Sequence, residues 1–217
     1  GFKLHLKALV QPIIAFIDTL KLDPVILVGH DLGALLALLV NEQCSDDVLG
    51  LVLVDPPLDG ATNGAMDLLS KEITTTNSLE IAQPLLNRWF VEPSSLEVRE
   101  KVKTMLSSAE PKLAAEQFSE AEFLKDEMGR LLVKADEKPF MIIWPDKPSG
   151  NPEKLREITQ FLRQEPIAET GHFLQLEKPK ILSSLLRAFM DDIERDPRIV
   201  DLKNQTGVED SARDSTE

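Results

Sequence analysis

An aspartate between two glycines has the clearest chemical potential in this sequence. Asp31 is the central residue of Gly29-His30-Asp31-Leu32-Gly33, which follows a short apolar run and precedes a longer one. A nucleophile flanked in this way, between a buried strand and a helix, lies on a sharp turn that projects its side chain clear of the sheet. Because an aspartate side chain is generally ionised at neutral pH, it can attack carbon without a base. The motif therefore predicts a nucleophilic aspartate.

Such a turn requires a strand before it and a helix after it, and the neighbouring residues supply both. Residues 25–28 form a short run with β-branched side chains between Pro24 and Gly29, which is typical of a strand buried on both faces. Residues 34–43 fit a buried helix, and residues 48–54 repeat the strand pattern. Strand, helix and strand in about thirty residues predict a parallel βαβ unit.

The rest of the pattern divides into an insertion and a second part of the core. Residues 4–22 have helical spacing, and we expect Pro12 to kink or divide that helix. From about residue 58 to 138 there are only helical patterns separated by prolines and serines, which predicts a helical insertion. After it we predict a strand at 140–144, a helix at 152–162, a short strand at 166–169 and a closing helix at 180–193.

Two motifs, in this order, resemble those of the α/β-hydrolase family. The elbow G-H-D-x-G is similar to that of the aspartate-nucleophile branch, which includes haloalkane dehalogenases and epoxide hydrolases. Residues 171–179, Gly-His-Phe-Leu-Gln-Leu-Glu-Lys-Pro, resemble the family's histidine loop. The resemblance runs from about residue 1 to 193 and is weakest over the insertion, where the family places its cap.

The resemblance implies an α/β-hydrolase fold, a mostly parallel sheet flanked by helices with a helical cap. We expect core segments at 1–58 and 139–195, a cap at 59–138, and a disordered acidic tail at 196–217. No segment before the first helix is similar to the family's early strands or to its H-G oxyanion segment. We therefore expect a chain that lacks the N-terminal strands.

The resemblance also implies a two-step reaction without a cofactor. Asp31 would displace a leaving group from a small, mostly apolar substrate and form an ester, and His172 would activate the water that hydrolyses the ester. The backbone NH of Leu32 would stabilise the oxyanion. An acid would orient the imidazole.

Two carboxylates are candidates for that acid. The family places this acid after either of two strands, and Asp55, directly after the strand at 48–54, stands at one of these two positions. Asp55 could also be a turn residue that only ends the strand. Asp146 follows the strand at 140–144 but stands two residues before the expected position, so we favour Asp55. Trp144 is most simply explained as a core residue. Because it ends a strand near the site, it is also a candidate for lining the substrate pocket.

The sequence departs from both named subclasses at the groups that stabilise a leaving group. It contains no tyrosine, which epoxide hydrolases of this branch use, and Leu32 stands where haloalkane dehalogenases commonly have tryptophan. Two further hypotheses therefore stay open. One is a catalytically silent binding module, and the other is a cofactor-free lyase or oxygenase that uses His172 and Asp55 as a base.

The overall composition excludes other classes of function. The sequence has 37 acidic and 24 basic side chains and a net charge of −13, so we expect neither nucleic acid nor an anionic membrane as a partner. Its longest apolar run, residues 34–40, is far shorter than the roughly 20 residues of a membrane-spanning helix. One cysteine, Cys44, and the lack of a Cys/His cluster with metal-ligand spacing predict a metal-free, cytoplasmic protein.

Overall fold

In the part of the chain that the structure describes, four parallel strands in the order β1-β2-β3-β4 carry the elements of the candidate site. The computed structural model describes residues 5–22, 24–58 and 65–197, so the predicted tail lies outside the described residues beyond its first two positions. The strands are β1 (Val25–His30), β2 (Val48–Val54), β3 (Phe140–Trp144) and β4 (Arg163–Pro166). The central strands β2 and β3 are almost completely buried, as their continuous apolar runs predict.

Among the described residues, ten α-helices surround this sheet or form the insertion between β2 and β3. They are α1 (Leu6–Leu20), α2 (Leu32–Gln43), α3 (Ala65–Thr76), α4 (Gln83–Arg88), α5 (Leu96–Ser107), α6 (Pro111–Phe123), α7 (Met128–Ala135), α8 (Pro152–Ile158), α9 (Leu174–Glu177) and α10 (Pro179–Arg195). None of the helices in the described ranges combines the length and the apolar character needed to cross a membrane.

Helices cover both faces of the sheet. On one face α1, α2, α7 and α8 pack over side chains such as Leu51, Leu53 and Ile142. On the other face α9 and α10 cover Val52, Met141 and their neighbours. This arrangement is the layered α/β architecture that the βαβ pattern predicts.

The insertion has two apolar clusters of its own. Ile73, Ala82 and Ala115 join α3 and α6, and a second cluster around Leu86, Phe90 and Val102 joins α4 and α5. The second cluster also includes Phe173 and Leu176 of the histidine loop. By contrast, α7 packs with α2 in the main core, although the sequence pattern groups it with the insertion.

Two predictions about the strands were wrong for physical reasons, and one about a helix was wrong in part. Helix α1 is not divided at Pro12, because Leu6 and Ile17 are buried in the main core on either side of it. That Pro12 kinks the helix stays a prediction. Strand β4 lies at Arg163–Pro166 rather than at 166–169. Its residues are polar and mostly half-buried, so a search for apolar runs does not detect this edge strand. Strand β1 is only partly buried, with Val28 54% exposed, because no strand of the described residues pairs with its outer edge.

Candidate active site

The loop after β1 forms the predicted elbow. Asp31 has φ 53° and ψ −120°, a strained conformation for a residue other than glycine. Its NH donates to the carbonyl oxygen of Val54 at 3.1 Å, which ties the turn to the end of β2. A Cβ at Gly29 would lie 2.2 Å from the carbonyl oxygen of Gly33, so the turn requires glycine at 29, whereas a Cβ at Gly33 would meet nothing within 4 Å.

The imidazole of His172 lies between two carboxylates. Its Nδ1 is 2.6 Å from Oδ2 of Asp55, and its Nε2 is 4.0 Å from Oδ2 of Asp31. His172 and Asp55 are buried, whereas the Asp31 side chain is 36% exposed. The first distance is a short hydrogen bond in which Nδ1 donates, and the second is beyond hydrogen-bond range. Nε2 therefore faces Asp31 without being bonded to it.

Asp55 is held by a residue that the sequence analysis missed. The backbone NH of Ser149 donates to Oδ1 of Asp55 at 2.7 Å, and the Ser149 hydroxyl donates to Oδ2 at 2.8 Å. The NH of Asp55 itself donates to the carbonyl oxygen of Ile143 at 2.9 Å. Ser149 follows β3 and Asp55 follows β2, so these contacts depend on the parallel pairing of the two strands. A serine in a loop carries no local signal for such a role.

The charges around His172 favour its protonated form. Burial opposes the charged imidazole, but the hydrogen bond to Asp55 and the charges of Asp31 and Asp55 outweigh it and raise the pKa of His172. Because raising the pKa of an imidazole makes it a stronger base, this environment suits a residue that must accept a proton from water.

His30 has a different role beside the same imidazole. Its Nε2 donates to the backbone carbonyl of His172 at 2.8 Å, and its Nδ1 lies 3.4 Å from Nε2 of Gln175. Burial and the neighbouring His172 lower the pKa of His30. A neutral ring with the proton on Nε2 satisfies both contacts, so His30 supports the histidine loop.

The insertion contacts the histidine loop directly. The NH of His172 donates to the carbonyl oxygen of Trp89 at 2.7 Å, just after α4. Glu177 accepts a hydrogen bond from the NH of Gly171 at 2.5 Å and another from the hydroxyl of Ser94 at 2.6 Å. The glutamate of the histidine loop therefore joins the loop to the insertion.

Two predicted site residues lie elsewhere. The exposed carboxylate of Asp146 accepts the NH of Glu169 at 2.8 Å, whereas the contact to His172 is made by Asp55. Trp144 is only 4% exposed within the main core, and its indole NH donates to Gln164 at 2.7 Å. It packs in the core, since all of β3 is buried, and its role in lining a substrate pocket stays a prediction.

The remaining predictions concern the oxyanion and metal ions. Leu32 is the first residue of α2, so its NH lies at the positive end of the helix, next to Asp31. Its role in binding an oxyanion stays a prediction. Within the described ranges, no group of three or more His, Cys, Asp or Glu side chains is arranged to hold a metal ion.

Comparisons with known proteins identify the family of the chain. Residues 4–184 match the model of a family described as "Alpha/beta hydrolase family". A search of curated proteins gave no match.

Solved structures with a similar fold include an esterase, a hydrolase and a lactonase. A thermophilic esterase from Thermogutta terrifontis is 19% identical with a TM-score of 0.72, and the match covers 88% of this chain and 74% of that one. A hydrolase from Oleispira antarctica is 18% identical with a TM-score of 0.73, covering 86% and 72%. The enol-lactonase from Burkholderia xenovorans LB400 is 15% identical with a TM-score of 0.72, covering 87% and 74%. Since the family model spans most of the sequence, the chain belongs to the alpha/beta hydrolase family.

Proposed function

We propose that this protein is a hydrolase that forms a covalent ester on Asp31 and hydrolyses it with water activated by His172. The observation that carries the proposal is the position of one imidazole, with Nδ1 bonded to Asp55 at 2.6 Å and Nε2 4.0 Å from Asp31. An orienting acid, a base and a carboxylate on an elbow are thereby aligned in the order that the two steps require.

In the first step an oxygen of Asp31 attacks an electrophilic carbon of the substrate. The new carbon–oxygen bond forms as the bond to the leaving group breaks, and the leaving group departs with the electron pair. Asp31 suits this step because its side chain is 36% exposed and has no hydrogen bond to His172. A nucleophile that is already ionised needs no proton transfer at this stage.

In the second step His172 takes a proton from water at Nε2, and the resulting hydroxide adds to the ester carbonyl carbon. The backbone NH of Leu32 stabilises the oxyanion in this proposal. When the tetrahedral intermediate collapses, the bond to the alkoxide oxygen breaks and the alcohol leaves with the proton from His172. The second proton of the water is left on the Asp31 carboxyl group, and its release to solvent restores the carboxylate. One water is consumed in each turnover.

The surroundings of the imidazole support a small, mostly apolar substrate. Trp89 and Phe173 lie with ring centroids 5.1 and 5.0 Å from that of His172. Aromatic walls of this kind exclude water from the base and favour apolar groups. No cofactor takes part in either proposed step.

The proposal is tested by trapping the ester. His172→Gln removes the base but leaves Asp31, so incubation with a primary bromoalkane such as 1-bromohexane, or with styrene oxide, should form the corresponding ester on the protein. Intact-mass and peptide analysis should place the added group on Asp31. Turnover of p-nitrophenyl acetate and of a δ-lactone is measured in parallel, because the similar structures include an esterase and an enol-lactonase and because attack of Asp31 on an acyl carbon would form an anhydride rather than the proposed ester.

Asp31→Asn/His172→Gln is the matched control and should acquire no added mass. In the unsubstituted chain, a single turnover in ¹⁸O-labelled water should place the heavy oxygen in Asp31 and not in the first molecule of alcohol. Label that appears at once in the alcohol would refute an ester on Asp31 and favour direct attack by water. Binding of these probes without any adduct or turnover would support the silent-module hypothesis instead.

A further inference from the structure

The face of the catalytic imidazole is covered by a side chain from the insertion. The indole of Trp89 lies nearly parallel to the ring of His172, with an interplanar angle of 26° and centroids 5.1 Å apart. The ring of Phe173 meets the same indole edge-on at 5.7 Å. Stacked aromatic rings at this separation attract each other, and the attraction increases when one ring carries a positive charge.

Trp89 also holds the backbone of the same histidine. Its carbonyl oxygen accepts the NH of His172 at 2.7 Å. The approach requires Gly171, since a Cβ there would lie 2.1 Å from that oxygen. One residue of the insertion therefore contacts His172 at both its ring and its main chain.

Trp89 is itself fixed in place. It directly follows α4, its NH lies 3.1 Å from the carbonyl oxygen of Leu86, and its side chain packs in the cluster of α4 and α5 with Phe173 and Leu176. This cluster joins the insertion to the histidine loop. A ring held in this way can restrict the rotation of the imidazole against which it packs.

We propose that Trp89 is a positioning residue for His172, whose indole holds the imidazole in its working orientation and stabilises the ring when it accepts a proton. The effect on the rate rests on the proposed function, in which His172 is the base. The effect on the imidazole itself does not depend on that function.

Four other titratable groups face His172 and must be kept constant in any test. Asp31 at the elbow, Asp55 after β2 and Glu177 of α9 are acidic and favour the protonated imidazole, whereas His30 of β1 disfavours it. Substitutions at Trp89 leave all four unchanged. A comparison among Trp89 variants therefore isolates the contribution of the indole.

Trp89→Phe and Trp89→Leu form the test pair, because both keep an apolar side chain against the imidazole and only phenylalanine keeps an aromatic face. With ¹³Cε1-labelled histidine the chain gives three signals to titrate by NMR, from His5, His30 and His172, and His172→Gln identifies its own signal by loss. We expect the pKa of His172 to fall by about half a unit to one unit in Trp89→Leu and to stay near its original value in Trp89→Phe.

Trp144→Phe is the matched control, since it removes the other tryptophan, which lies in the main core. It should leave the pKa of His172 unchanged. An equal pKa in the leucine and phenylalanine variants of Trp89 would overturn the proposal. A rise in Trp89→Leu would overturn it as well, because it would show that the indole acts only by excluding water.

The kinetic consequence is measured on the isolated ester step. Hydrolysis of the Asp31 ester should be about 3- to 10-fold slower in Trp89→Leu and near the original rate in Trp89→Phe, while formation of the ester is unchanged. Equal slowing of both steps would refute a role through His172. If no ester forms in His172→Gln but the NMR difference is found, the proposed function fails and the positioning of the imidazole by Trp89 stands.

Discussion

Replacing Asp55 by asparagine probes the most buried contact of the site. The carboxylate is fully buried and accepts three hydrogen bonds, from the NH and hydroxyl of Ser149 and from Nδ1 of His172. Asparagine keeps the shape of the side chain but has only one acceptor oxygen, so its NH₂ group must face at least one of these donors. Where the NH₂ group takes the place of Oδ2, the imidazole loses the acceptor that fixes its tautomer.

The size of the effect follows from the two opposing influences on His172. Burial lowers its pKa, and the Asp55 hydrogen bond with the charges of Asp31 and Asp55 outweighs that effect. A hydrogen bond to a charged group contributes about 1.5–3 kcal/mol, and one pKa unit corresponds to about 1.4 kcal/mol. We therefore expect the pKa of His172 to fall by about 1 to 2 units in Asp55→Asn.

The rate of ester hydrolysis should change in two ways. A base must be neutral, so in the unsubstituted chain the rate rises with pH through the raised pKa of His172. In Asp55→Asn that rise moves to lower pH, while the rate on the plateau falls by about 10³- to 10⁴-fold because the wrong tautomer prevails. The assay is the pH dependence of release from the preformed Asp31 ester, together with NMR titration of His172.

Asp146→Asn is the matched control for the same measurements. It removes the other carboxylate that the sequence offered, which here accepts the NH of Glu169. We expect less than a twofold change in the plateau rate and an unchanged pKa of His172. A loss of less than tenfold in Asp55→Asn, or a larger loss in Asp146→Asn, would show that Asp55 does not orient the imidazole.

Two further predictions concern packing. Gly171→Ala forces a Cβ to within 2.1 Å of the Trp89 carbonyl oxygen and should lower Tm by roughly 2 to 12 °C. In the control Gly129→Ala the new Cβ meets nothing within 4 Å, so Tm should be unchanged or slightly higher. Equal Tm values for the two variants by calorimetry would contradict this prediction. Asn41 is fully buried, and neither polar atom of its side-chain amide has a hydrogen-bond partner in the described ranges. Asn41→Leu should therefore raise the free energy of unfolding, measured with urea, by about 1–2 kcal/mol. A decrease would mean that the amide is hydrogen-bonded in the folded protein.

The sequence was sufficient where local chemistry determines the structure. Two glycines around Asp31, the strand before them and the helix after them predict the elbow, and the apolar runs of β2 and β3 predict central strands. The partial burial of β1 and the polar β4 were not predictable in this way. Whether a strand lies at the edge depends on which strands pair, and this is a property of the assembled sheet.

Contacts between segments that are far apart in the sequence were even harder to predict. Trp89 precedes His172 by 83 positions and lies in a segment whose pattern predicts only a packed helix. Its stacking on the imidazole appears only once α4 and α5 pack against the histidine loop. The sequence analysis therefore predicted candidate reactive residues and Asp55 as the acid beside the imidazole, but it missed the contacts that Trp89 and Ser149 make to them.

The choice between the two candidate acids shows why both loops remained plausible. The loop after β2 contributes the carboxylate of Asp55, but the loop after β3 contributes Ser149, which donates two hydrogen bonds to it. Parallel pairing of β2 with β3 brings both loops to the same end of the sheet, beside His172. The later loop thus contributes to the candidate site by fixing Asp55, while Asp146, three positions earlier, stabilises the turn at Glu169. A sequence search for a single acid position cannot separate these roles, because the acid and the group that holds it come from different strands.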